Sequence, residues 1–506
     1  MTPVTHSRTV NRAWAVLGLA ATAFYFSWLL QPGRAGIAVL FALLLAADVF
    51  NAFHAVSFWL TGLRTVRSRP FAAPERARVD VLIPTYNEPP DVIRPTVRAA
   101  LAMRGGDVRV FVLDDGSRPA IRALAARLGA EYIARPEHEG AKAGNLNYAL
   151  EHTADGGAPL VCVFDCDHVP QRDFLEATLG YFTDEQVGLV QTPQVYRNTD
   201  DGWLTRGAAE QQAVFFGPIC EGRDGYGASF CCGTNFVARR DALARAGGFP
   251  MDSITEDIVL STRLVGLGYE IVYEPTPLSA GLGPADAKSY ETQQLRWATG
   301  CLELLFRRPA LWRGLSATQR WQYLVATSYW LTGWTVLVYL SLPALRLVFG
   351  WQALDAQADE FAVHFLPYFL VAILNLGRFT NGAYTLAGLA MNWGSFAIHI
   401  RGTLRALAGR PGGFQVTPKR ATRAPVWRRY VPNLVAIALL VVASVVGLAR
   451  GMNPAGFNNV TFAAIDAVLV GSIAAFGALQ NRRLGRGLAP VVGVIEPQPR
   501  ERSEVA

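Results

Sequence analysis

Cysteine is scarce in this chain of 506 residues. There are six, at positions 162, 166, 220, 231, 232 and 301, and no C-x-x-C spacing occurs among them. That spacing pattern excludes the usual structural zinc site. Long apolar runs are also missing between Arg64 and about Arg320, although 51% of the chain is hydrophobic. The apolar residues are therefore concentrated elsewhere, and this stretch reads as one large aqueous domain. No small-residue cleavage site follows the first apolar run, so that run is expected to be a retained helix and not a signal peptide. The net charge is +7, but the basic residues form no stripe on a soluble module. A nucleic-acid partner is not expected.

What is present begins with six apolar runs long enough to cross a bilayer: Ala13–Leu30, Ile37–Leu60, Trp321–Leu342, Phe361–Leu376, Val431–Leu448 and Thr461–Leu479. Arginines follow the second run (Arg64, Arg67, Arg69, Arg76, Arg78), fill the stretch between the fourth and fifth, and follow the sixth (Arg482, Arg483, Arg486). The loop between the third and fourth carries Asp355, Asp359 and Glu360 instead. Six spans with both termini and the aqueous domain cytoplasmic put every basic loop on one side. The expected location is the cytoplasmic (inner) membrane, multi-pass, with the lipid bilayer as a partner. All six cysteines then face a reducing compartment. Asp48 and His54 fall inside the second run, where charge is expensive; they should face the bundle interior, lining a path or pairing with a neighbour.

From Val79 onward short β-rich runs alternate with helical stretches. "VDVLIPTYN", "VRVFVLDDGS", "AEYIARP", "PLVCVFDCDHVP" and "VGLVQTPQ" read as strands, with helices such as "DVIRPTVRAALAM" and "AKAGNLNYALEH" between them. The alternation predicts a parallel sheet with helices on both faces, and ligands bound beyond the carboxyl ends of its strands. Those ends carry Thr85, Asn87 and Glu88, then Asp114 and Asp115, then Asp165 and Asp167. Any one pair could be a turn. Several carboxylates on one edge repel one another without a cation, so this edge is expected to bind a divalent metal with its ligand.

Oxygen donors suit magnesium, or manganese, bridging carboxylates to a diphosphate. Asp165 and Asp167 are the first candidates, and His168 either joins them or is a turn histidine. Lys142 stands at a loop-to-helix start, where its ammonium and the helix dipole favour phosphate. "SITEDIVLSTRLVGLGYE" sets Thr255, Glu256 and Asp257 at the start of an amphipathic helix. In "QQLRWATG", Gln293 and Arg296 share a helix face, and Trp297 adds a flat apolar surface. Arginine matches a diphosphate, and an indole offers a platform for a sugar ring.

D-D-G, D-x-D-H, T-E-D and Q-x-x-R-W, in that order between two membrane blocks, resemble the processive family-2 glycosyltransferases, and bacterial cellulose synthase catalytic subunits in particular. "PTYNEP", "EHEGAKAGN", "VFDCDHVP", "VQTPQ", "SFCCGTNFVARRDAL" and "RWATG" carry the likeness, and "FQVTPK" resembles the gating loop of those enzymes. The resemblance implies an α/β GT-A (Rossmann-like) cytoplasmic domain inserted in an all-α polytopic membrane domain. It implies Thr85, Glu88 and Asp114 on the uridine of UDP-glucose, and Asp165, Asp167, His168 and Lys142 around the metal and diphosphate. Asp257 would be the general base, flanked by Thr255 and Glu256, and Arg296 would stabilise departing UDP. Gln293, Trp297 and Cys232 would frame the acceptor sugar, and Phe414, Thr417 and Lys419 would close over the nucleotide. The expected product is a β-1,4-glucan exported through the membrane helices.

The sequence also departs from that family. Two spans precede the aqueous domain where four are usual, and too few residues follow "RRLGR" to build a cyclic-di-GMP-binding barrel. Binding of cyclic-di-GMP by this chain is not expected, whereas an accessory envelope subunit is a candidate partner. "FCCGT" stands where "FFCGS" is usual, which leaves β-1,3 (curdlan-like) or mixed-linkage glucan as an alternative product and a non-processive transfer to lipid as a remoter one. The expected layout is two spanning helices in 1–64, the glycosyltransferase domain in 65–315, four spans with an interfacial helix and the gating loop 411–423 in 316–480, and a cytoplasmic tail in 481–506.

Overall fold

The computed structural model describes residues 8–72, 77–409, 426–451 and 454–485. Phe414, Thr417 and Lys419 of the expected gating loop lie outside the described residues. The first strand, β1 (Ala77–Thr85), is buried continuously from Val79 to Thr85, as a central strand covered on both faces should be. Its side chains divide by the strand period of two. Val79, Val81 and Ile83 pack with Ile93 and Val97 on one face, while Leu82 packs with Leu146 and Ala149 on the other. Asp80 interrupts that second face. It is held by Arg109 (2.9 Å), Arg240 (2.6 Å) and the Ala158 N–H (2.9 Å).

Nine further strands complete the domain. They are β2 (Gly106–Asp114), β3 (Glu131–Ile133), β4 (Leu160–Val163), β5 (Val169–Pro170), β6 (Val187–Gln191), β7 (Val195–Tyr196), β8 (Phe236–Arg239), β9 (Glu270–Tyr273) and β10 (Ser279–Gly281). The main sheet runs β3-β2-β1-β4-β8-β6-β9, and a small second sheet runs β5-β10-β7. All five strands expected from the sequence are present.

One expectation needs correction. The sheet is mixed: β8 is antiparallel to both β4 and β6. The chain reaches β8 from the cleft side, through Asn235 in a left-handed conformation (φ 58°), and so runs back along the sheet. The helices Trp203–Val214 and Cys220–Gly225 stand before it in the chain, so alternation of strands and helices does not reveal its direction.

Five helical stretches among the described residues are long and apolar enough to cross a membrane: Ala38–Gly62, Ala317–Phe349, Ala358–Phe379, Trp427–Ala449 and Gly456–Arg483. The sequence suggested a sixth at Ala13–Leu30. A 22-residue helix, Arg8–Leu29, does form there, but Arg8, Asn11 and Arg12 in its first turns dilute its apolar character. It packs along Ala358–Phe379, with Tyr25 stacked on Tyr368.

Asp48 and His54 are both paired. The Tyr25 and Tyr339 hydroxyls donate to the Asp48 carboxylate at 2.7 Å each, and the Ser328 hydroxyl lies 3.2 Å from His54 Nε2. The aqueous domain joins the bundle through the helix Ala287–Arg307, which lies against Phe396–Leu407. A Cβ on Gly402 would stand 2.6 Å from Ala298 Cβ, so only glycine permits this approach. Glu291 locks the contact by accepting from Arg401 (2.6 Å) and Arg429 (2.7 Å).

Candidate active site

The carboxyl ends of β1, β2 and β4 open into a cleft of about 340 Å³. Its walls include Thr85, Glu88, Lys142, Asp165, Asp167 and His168 from the strand ends. Cys232, Thr255, Glu256, Asp257, Gln293, Arg296 and Trp297 complete it from residues far along the chain. Segments from 85 to 297 thus meet in one volume.

At the end of β1, Thr85 Oγ1 donates to Glu88 Oε2 (2.8 Å), and the Tyr86 N–H reaches the same oxygen (2.9 Å). Arg118 ties this turn to β2, donating to Thr85 Oγ1 (3.0 Å), the Glu88 carbonyl (2.6 Å) and Asp114 Oδ1 (2.9 Å). Asp114 is fully buried and also accepts from the Tyr132 hydroxyl (3.0 Å), so it stands behind the wall. Its neighbour Asp115 lines the cleft instead, fixed by Arg135. Arg135 reaches on to the carbonyls of Glu139 (2.5 Å) and Ala141 (2.9 Å), shaping the loop that delivers Lys142. Asp115 stood in the sequence only as one of the strand-end carboxylates, with no role of its own, and Arg135 was not a site candidate. "DDG" carried the first, and only the fold brings Arg135 to it.

Lys142 Nζ bonds both Asp165 Oδ1 and the Gly233 carbonyl (2.7 Å). Burial opposes the ammonium charge, but Asp165 and Glu256 outweigh it and hold the lysine pKa above its ordinary value. Donor atoms of Asp165, Asp167 and His168 lie within 4.8 Å of one another. His168 is 4% exposed, and neither ring nitrogen has a hydrogen-bond partner among the described residues. A buried imidazole left so beside two carboxylates fits a divalent cation, and this oxygen-rich donor set suits magnesium or manganese.

Across the cleft, Asp257 opens the helix Glu256–Gly266. Burial first, and the neighbouring Glu256 charge second, push its pKa up to about 7, with Lys142 and Arg296 pulling the other way. Its Oδ2 faces Gly233, whose φ of +82° favours glycine and where a Cβ would come within 3.1 Å. The loop carrying Gly233 is pinned by the Cys232 N–H to Gln191 (2.7 Å) and by Gln194 Nε2 to the Cys232 carbonyl (2.7 Å). Gln293 lies 3.4 Å from the Tyr196 hydroxyl on β7. Gln194 and Tyr196 also line the cleft; the first lay in a quoted motif and the second was missed.

Residues 80–247 match the family described as glycosyl transferase family 2, and residues 244–399 the family described as cellulose synthase. The two matches follow one another from residue 80 to residue 399, and in sequence the chain is similar to cellulose-synthase-like family-2 glycosyltransferases. It is 32% identical over 487 residues to cellulose synthase 1 of Komagataeibacter xylinus, covering 92% of this chain and 30% of that one. It is 32% identical over 467 residues to the cellulose synthase catalytic subunit [UDP-forming] of Pseudomonas fluorescens (strain SBW25), covering 87% and 62%. The chain thus spans less than two thirds of the length of either relative. A mannosyltransferase of Pyrobaculum calidifontis, solved with GDP-Man and Mn2+, shares the fold with a TM-score of 0.52 and 18% identity, covering 73% of this chain and 99% of that one. The sheet and its cleft are accordingly a GT-A, Rossmann-like glycosyltransferase fold.

Proposed function

We propose that this chain is a membrane-embedded inverting glycosyltransferase that polymerises glucose from UDP-glucose into a β-1,4-glucan and passes the chain through its own helices. The observation that carries this reading is the convergence of D-x-D, T-E-D and Q-x-x-R-W on one cleft, backed by a helix that packs on the membrane-side helices. The names of the relatives, cellulose synthases and UDP-forming among them, support the donor and the product.

In this reading Thr85, Glu88 and the Asp114–Asp115 turn receive the uridine. Asp165, Asp167 and His168 hold a divalent ion, which neutralises diphosphate charge when bound. Lys142 and Arg296 bring two further cations to the departing phosphate. Asp257 accepts the proton of the acceptor hydroxyl as that oxygen bonds to the anomeric carbon. The bond from that carbon to the diphosphate oxygen breaks, and its electron pair leaves with UDP. A carboxylate whose pKa lies near 7 matches the task, because it is basic enough to take the proton and yet about half ionised at neutral pH. Trp297 and Cys232 hold the acceptor end, with Gln293 beside them.

The reading places the aqueous domain, 65–315, and both termini on the cytoplasmic side of the inner membrane. It is tested with full-length protein in lipid vesicles, magnesium and radiolabelled UDP-glucose. Insoluble product cut by a β-1,4-glucanase is expected. Product cut only by a β-1,3- or mixed-linkage glucanase would reassign the linkage. A single sugar on lipid would overturn polymerisation.

A further inference from the structure

Arg223 lies in the short helix Cys220–Gly225 and is 1% exposed, one of the largest fully buried side chains. Among the described residues none of its hydrogen-bond partners is a carboxylate. Nε and Nη2 donate to the Ala228 carbonyl (3.1 and 2.8 Å), and Nη1 donates to the Gln322 carbonyl (2.7 Å). Its guanidinium lies over the Phe230 ring (4.2 Å) and near the Tyr323 ring (5.2 Å). A buried cation without a counter-charge is a poor stabiliser, and an apolar side chain of similar volume would do as well or better. What the arginine supplies is geometry, a planar fork that holds two carbonyls and stacks on aromatic faces at once.

Those two carbonyls belong to different parts of the molecule. Ala228 and Phe230 begin the loop that continues to Cys232 and Gly233 in the cleft wall. Gln322 and Tyr323 lie on Ala317–Ser328, the first turns of a membrane-capable stretch, and Gln322 Nε2 bonds Thr61 Oγ1 of the second span (2.9 Å). The next residue, Asp224, makes the matching connection to the linker after that span. It accepts from the Arg67 N–H (2.8 Å) and from Arg69 (2.8 Å), and also from Ser229 of the loop (3.2 Å).

We propose that Arg223 is a positioning residue which fixes the acceptor-side loop, Ala228–Gly233, to the membrane-side helix at Gln322–Tyr323, so that the acceptor end is held between the cleft and the bundle. This rests on the polymerase reading above. Arg223 touches no substrate and acts through the acceptor-side loop at Cys232 and Gly233.

The test uses full-length protein in vesicles, comparing wild type with Arg223→Met, Arg223→Lys and, should Arg223→Met fail to fold, Tyr323→Leu. Two quantities are read: polymer formed per UDP released, and the rate at which a small maleimide alkylates Cys232, the one cysteine that is not buried. In Arg223→Met the polymer-to-UDP ratio falls about tenfold and Cys232 labels about tenfold faster, the effect of one lost charge-assisted contact. The donor KM stays within about twofold of wild type on the same grounds, and Arg223→Lys is intermediate. A merely structural role would lower polymer and UDP release together and leave their ratio unchanged. An unchanged ratio with unchanged Cys232 labelling overturns the proposal. If wild type releases UDP and forms no polymer, the polymerase reading fails, and Cys232 labelling alone decides whether Arg223 holds the loop.

Discussion

Asp165 in the cleft keeps about a third of its side chain exposed, whereas Asp48 in the helical bundle is buried, and each is satisfied by different means. Asp165 is met by the Lys142 ammonium, with Arg296 nearby. Asp48, 2% exposed, is met by two phenol hydroxyls from neighbouring helices. An ion pair beside open volume can exchange one partner for a charged ligand, because the incoming charge replaces what it displaces. A carboxylate between two hydroxyls has no such exchange available, and its bonds serve to join helices. The aqueous domain therefore keeps its charges negotiable, and the bundle keeps its charges settled.

The sharpest way to break that contrast is at Asp257. Asp257→Asn removes the proposed base and should lower transfer by about 10²–10⁴-fold, with donor binding nearly unchanged in a titration; a loss under tenfold would move the base elsewhere. Next comes pH. With a pKa near 7, Asp257 is protonated in acid and cannot accept a proton, so the rate should fall about tenfold per unit below pH ~7 and level off above it. The same shift has a stability sign. The folded chain binds this proton more tightly than the unfolded chain, so ionising Asp257 costs stability as pH rises from about 4 to about 7. Asp257→Asn should flatten that part of the melting-temperature profile.

A smaller effect is expected at the cation-binding edge. Asp167→Asn should weaken donor binding by roughly tenfold, the size of a lost contact to a charged group of about 1.5–3 kcal/mol. Chelation should do the same to wild type, with magnesium or manganese restoring it; donor binding indifferent to chelation would remove the ion from the reading. The smallest effect on chemistry belongs to the bundle. Asp48→Ala leaves the Tyr25 and Tyr339 hydroxyls without their acceptor, a cost of about 1–3 kcal/mol in stability. Thermal unfolding in detergent should register it while donor affinity stays put. A change in donor affinity instead would mean that the bundle's charges are not settled after all.

The site was legible where strands end abruptly. Apolar runs that stop at Thr85, Asp114 and Asp165 announce an edge loaded with polar groups, and that edge is the cleft. Asp114 and Asp115 show the limit. Adjacent residues at a strand end point to opposite sides, and two identical letters do not say which faces the ligand. The direction of β8 was hidden for another reason, since it depends on one backbone turn at Asn235 and on partners 45–79 residues away. Arg135 and Arg223 are single arginines in sequence, and only packing gives each a task. Membrane-capable segments stood out by length and apolarity, whereas the tyrosine pairing of Asp48 spans three helices and is invisible along the chain.

The contact of Gly402 with Ala298 constrains the length of the chain as well as its composition. Along Ala287–Arg307 each residue adds about 1.5 Å of rise and about 100° of rotation. Asp286 caps the start of this helix by accepting from the Ser289 N–H (2.8 Å), and Ala298 seats it against Gly402. With the cap held, one residue inserted between cap and seat would leave every side chain present and turn Trp297 and Ala298 together, the first away from the cleft and the second away from its seat. A substitution in this segment changes one contact, whereas an insertion or deletion shifts all of them.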